Sequence, residues 1–77
     1  MNMLRMEVVS DHKVYNSKLM PYSSDNEFFT ALVTLCDELG VEVPLWTTHE
    51  ERILKRKGQL EIDMESGQAL MIYNYTE

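Results

Sequence analysis

The sequence predicts a small α+β domain, with an antiparallel or mixed β-sheet of three to five strands. One long helix, over about residues 24–39, packs on one face, and a short surface helix covers about 48–57. Three observations carry this reading. Ser24–Val41 has a helix start, a helix stop and a broad apolar arc between them. Residues 3–9 and 60–64 alternate apolar and polar side chains with the period of two that marks a half-buried strand. Residues 68–75, QALMIYNY, are apolar on both sides at their middle, which suits a central strand or one whose second face is covered.

Taken in order, Leu4, Met6 and Val8 alternate with Arg5, Glu7 and Val9 to give a first strand. Ser10-Asp11-His12-Lys13 is a polar turn. Residues 13–20, KVYNSKLM, suit a second strand paired as a hairpin, although Asn16-Ser17-Lys18 interrupts its apolar pattern; Pro21 and Ser23-Ser24 close the segment. Ser24 and Glu27 have the spacing of a capping box, and Asp25 and Glu27 suit the positive end of the helix dipole. At about 100° per residue, Phe28, Phe29, Leu32, Val33, Leu35, Cys36 and Leu39 fall within an arc of roughly 160°, wide enough to want a sheet face as partner. Gly40 is placed to end the helix in the left-handed conformation, with Val41 folding back on Cys36 or Leu35.

Val41–Leu45 is extended, and Pro44 restricts it to an edge or a linker. Thr48 and Glu51 read as a second capping box, Lys55-Arg56-Lys57 suit the last turn and Gly58 the stop. That helix has only Ile53 and Leu54 as an apolar face, extended by Leu45 and Trp46 from the preceding loop. Leu60, Ile62 and Met64 alternate with Glu61 and Asp63, and Glu65-Ser66-Gly67 turns the chain into the final strand. The order β-(β)-α-β-α-β-β is compatible with a ubiquitin-like β-grasp arrangement, in which the final strand is central. The ending Asn74-Tyr75-Thr76-Glu77, without Gly-Gly, argues against a carrier activated at its carboxyl terminus.

Seventy-seven residues make a single small domain, 1–77, with a thin core. A core of that size supplies about 3–5 kcal/mol, and chains this small often add a staple. Cys36 is the lone cysteine, so no disulfide closes within one chain, and self-association is the staple expected. The apolar fraction of 44% and charged fraction of 26% are those of a folded domain. The absence of an apolar run near 18 residues and of a secretory pattern points to a cytoplasmic protein with no membrane association. The net charge of −6 argues against nucleic acid and anionic membranes as partners.

Candidate chemistry is sparse. Cys36 lies at the centre of the apolar arc, where a core role fits better than a reactive thiolate. His12 and His49 have no second ligand at metal-binding spacing, so neither a metal nor a cofactor is expected. The three glycines are taken by helix ends and a turn, leaving no phosphate-cradling loop, and no nucleophile motif is present, so no catalytic residue is assigned. Arg52, Lys55, Arg56 and Lys57 form a basic patch that dipole complementarity and a Glu51–Lys55 pair explain without a ligand. Asp25, Glu27, Asp37, Glu38, Glu42, Glu50 and Glu51 fall in a stretch with no basic residue. An acidic mimic of DNA is the sharp reading of that stretch, and solvated helix surfaces the plain one. Trp46, Met71, Tyr73 and Tyr75 are the interface candidates, since aromatic residues and Met are enriched at binding hot spots.

The expected function is a non-enzymatic protein working through protein contacts, with a partner protein or as a homodimer. Its alternatives are a small oligomeric enzyme with a site at a subunit interface and a nucleic-acid-linked protein using the 52–57 helix.

Overall fold

A computed structural model describes residues 2–76; Met1 and Glu77, the two ends of the expected domain, lie outside the described residues. The elements are β1 (Asn2–Ser10), β2 (Lys13–Tyr22), α1 (Asp25–Leu39), α2 (Thr48–Lys57), β3 (Gln59–Asp63) and β4 (Ala69–Thr76). The four strands form one sheet in the order β2-β1-β4-β3, antiparallel at every pairing. The final strand is therefore interior beside the first, as its two apolar sides require.

One face of the sheet is covered by both helices. Leu4, Met6 and Val8 of β1 and Leu70 and Ile72 of β4 point to this side and are buried. They meet Ala31, Leu32, Leu35 and Cys36 of α1, while α2 adds Leu54 over the β3–β4 half. Phe28 bridges the layers: its ring lies 5.4 Å from Tyr22 in an edge contact and 5.5 Å from Trp46. The Tyr22 hydroxyl donates to Asn74 Oδ1, tying the edge strand β2 to β4 across the end of β1. Among the described residues, every buried side-chain nitrogen and oxygen has a hydrogen-bond partner.

The second strand is unbroken, and longer than the 13–20 expected. Asn16, Ser17 and Lys18 interrupt an apolar pattern but not a ladder, because β2 is an edge strand whose side chains there are exposed and whose pairing runs through backbone groups. A bulge between Val8 and Val9 places Tyr15 as the extra residue. Pro21 pairs with Met3. Its position alternates with those that bond to β1, so the missing N–H would have faced solvent, which is where an edge strand tolerates proline.

The helix signals hold with shifts in their details. Ser24 is the N-cap of α1, but its side chain caps nothing; Glu27 instead accepts from the backbone N–H and the hydroxyl of Ser23, each within 2.9 Å. At the other end Gly40 adopts φ 71°, with its N–H on the Asp37 carbonyl and the Val41 N–H on the Cys36 carbonyl, the paired bonds of a Schellman stop. The apolar arc is narrower than expected. Phe29 is 50% and Val33 37% exposed, because the sheet beneath α1 is not wide enough to cover that flank, and Ala31 is buried in their place. The capping box of α2 falls one residue earlier than Thr48–Glu51, on Thr47 and Glu50. Residues 41–47 form a linker without strand structure. In it Trp46 packs on the core, whereas Leu45 is 84% exposed and adds nothing to the α2 face.

These caps imply an acid dependence. The hydrogen bonds from Ser23 hold the Glu27 carboxyl below its usual value, and those from Thr47 do the same for Glu50. A carboxylate whose folded value is depressed contributes above the unfolded value of 4.5, and the contribution is lost as pH falls through the folded value. Thermal unfolding followed by circular dichroism is expected to show Tm falling as pH drops below about 5, with part of the slope removed in Glu50→Gln.

Candidate functional site

Two surfaces are left over once the core is built. The first is the face of the sheet opposite the helices. Registered pairing places Met3, Arg5, Glu7 and Val9 of β1 there, beside Val14, Ser17, Leu19 and Pro21 of β2 and Ala69, Met71, Tyr73 and Tyr75 of β4. Val14, Leu19 and Tyr75 are exposed, and Met3, Val9, Met71 and Tyr73 are half-buried with no element above them. At the centre sits a polar knot. Glu7, buried at 7% exposure, accepts from Arg5 Nη2 at 2.7 Å. The Arg5 guanidinium lies 6.0 Å from the centre of the Tyr73 ring. Tyr73 and Tyr75 stack at 6.3 Å between ring centres. The Glu7 carboxylate, and then Tyr75, raise the Arg5 value further, and burial followed by the Glu7 charge raises that of Tyr73. Arg5 thus stays a cation and Tyr73 a neutral phenol at neutral pH.

The second surface is a cleft of about 920 Å³ between the 40–47 linker, α2 and β3. Val41, Ile53, Leu60, Ile62, Met64 and Leu70 give it an apolar floor. Glu42, Glu50, Glu61, Asp63 and Glu65 line it with carboxylates, and no Lys or Arg is among its lining residues. His49 and Glu50 share one wall, but the Glu50 carboxylate is taken by the backbone N–H and hydroxyl of Thr47, so the two do not form an acid–base pair.

Of the residues singled out from sequence, Met71, Tyr73 and Tyr75 come together on the open face. Trp46 does not join them: it lies on the helical side against Phe28, because the linker carries it over the core. Arg52, Lys55, Arg56 and Lys57 are exposed on α2, where Lys55 reaches Glu51 at 3.3 Å and Asp25 at 3.9 Å. Cys36 is fully buried, with its thiol value raised by burial, and is no candidate nucleophile. His12 lies in the β1–β2 turn with φ 64°. Among the described residues no three His, Cys, Asp or Glu side chains are grouped to hold a metal ion, and no helix is long and apolar enough to cross a membrane. Sequence reasoning missed Arg5 and Glu7. Their spacing of two on a strand puts both on one face, and that signal was present.

The chain matches no protein-family model, no curated protein and no solved structure.

Proposed function

We propose that the protein is a non-enzymatic interaction protein that pairs with a second copy of itself through the open face of its sheet. One observation carries this reading: a sheet covered by two helices on one side presents on the other an apolar surface over β1, β2 and β4, bordered by Gln59, Glu61 and Asp63 of β3. Arg5 and Glu7 are the only charges among the twelve residues that β1, β2 and β4 place on that face, and they neutralise each other at 2.7 Å. Glu61 and Asp63 of β3 share this face at its border, so two copies that overlap through β1, β2 and β4 meet without bringing like charges into contact.

Size supports the same reading. Strands about 4.8 Å apart and about 3.4 Å per residue give this face roughly 400–500 Å², so a pair buries roughly 800–1,000 Å², the size of a small, weak interface. Two sheets packed face to face bury their inner side chains as a sandwich does. Tyr73, Tyr75 and Met71 are the residue types that anchor interfaces, and the stacked tyrosines lose little freedom on contact.

Sedimentation equilibrium of the full chain tests it. A mass twice the 9.0 kDa of one copy is expected at micromolar concentration. A monomer persisting at high micromolar concentration overturns the proposal.

A further inference from the structure

The cleft contains a strand edge with a definite hydrogen-bonding phase. Asn74 N–H bonds the Gly58 carbonyl at 2.9 Å, and Met64 N–H bonds the Gln68 carbonyl at 2.8 Å. In an antiparallel ladder the bonded pairs alternate, so Leu60 pairs with Ile72 and Ile62 with Leu70 through both of their backbone groups. The amides and carbonyls of Gln59, Glu61 and Asp63 therefore point away from the sheet. Residues from both sides of β3 line the cleft, so this free edge lies within it.

The two sheet edges are not equivalent. On β2, Pro21 removes an outward donor and the Tyr15 bulge disturbs the line. On β3 the outward groups are continuous. An added strand shares faces with its neighbour: alternate side chains lie beside Leu60 and Ile62 on the apolar floor, and the others lie beside Glu61 and Asp63. Glu61 and Asp63 repel an acidic strand, a second copy of β3 included, and attract a cationic one.

We propose that the β3 edge accepts an extended segment of a partner protein in which apolar and basic residues alternate. The apolar side chains fill the cleft, the basic ones pair with Glu61 and Asp63, and the backbone adds a fifth strand, the mode known as β-augmentation.

The probe is a fluorescent nine-residue peptide of alternating lysine and valine, blocked at both ends, titrated into the full chain. Saturable one-to-one binding is expected, weakening about tenfold between 50 and 300 mM NaCl as screening sets in. Amide hydrogen exchange reads the edge directly. At saturation the Glu61 and Asp63 amides are expected to slow about tenfold or more, while those of Leu60 and Ile62, already bonded to β4, change little. Glu61→Gln/Asp63→Asn is expected to weaken binding about tenfold with the same melting curve. The peptide should bind equally to a chain carrying Leu19→Glu, which puts a charge on the open face at β2, the edge of the sheet farthest from β3, and so separates this proposal from that of self-pairing. No binding at 50 mM NaCl, binding without slowing of the Glu61 and Asp63 amides, or equal binding of a peptide with its lysines and valines in separate blocks overturns it. So does protection of those amides by a second copy in the absence of peptide.

Discussion

Replacing Ile72 with alanine is expected to cost about 3 kcal/mol, within the range for truncating a buried isoleucine, and to leave the isolated domain near its unfolding midpoint at 25 °C. Ile72 is fully buried at the centre of β4, between Met6 and Leu60 on the neighbouring strands. A domain of this length holds only about 3–5 kcal/mol in reserve, so one cavity consumes most of it. Urea denaturation followed by circular dichroism measures the loss, with the midpoint shifting down and the slope unchanged. A loss under about 1 kcal/mol would mean that the site collapses to fill the gap, and hence that the sheet and the helices pack loosely.

The residue next to it behaves in the opposite way. Met71→Lys is expected to leave folding stability within about 0.5 kcal/mol of the parent, as exposed substitutions do. Met71 lies on the open face, and its registered neighbours are Glu7 and Glu61, both of which suit a lysine in the single copy. In the paired state the same lysine places a charge under a second sheet. The cost is about 3 kcal/mol, or about a hundredfold in dissociation constant. Sedimentation equilibrium should then show a single copy where the parent is paired, with unfolding curves that overlay once the concentration dependence of the parent is removed. Unchanged association would place the contact elsewhere on the molecule.

The contrast between Ile72 and Met71 is one of alternation, and alternation is the part of this fold that the amino-acid order states most directly. Leu4, Met6 and Val8, Leu60 and Ile62, and Leu70 and Ile72 could all be put on one face from the period of two. Gly40 and Gly58 could be read as helix ends because φ of 71° and 75° suits residues without a Cβ. What could not be read depended on how far each layer extends. Phe29 and Val33 match the helical period as well as Leu32 does, and only the width of the sheet beneath α1 leaves them in solvent. The α2 cap moved by one residue, and Glu27 took Ser23 in place of the N-cap Ser24, because serine and threonine occur in adjacent pairs, Ser23-Ser24 and Thr47-Thr48, and spacing alone does not choose between neighbours. Of the two surfaces, the open face was legible in Met71, Tyr73 and Tyr75. The cleft was not, because it forms where a linker, a helix and a strand edge converge from distant parts of the chain.

The proline in the outer strand has a consequence for assembly. A sheet that can grow from either side is the seed of a filament, since each added copy offers the next one a fresh edge. Here Pro21 terminates one side, and the acidic side chains of β3 reject a copy of themselves on the other. Both features oppose growth of the sheet by pairing of like edges, β2 with β2 or β3 with β3, between identical chains.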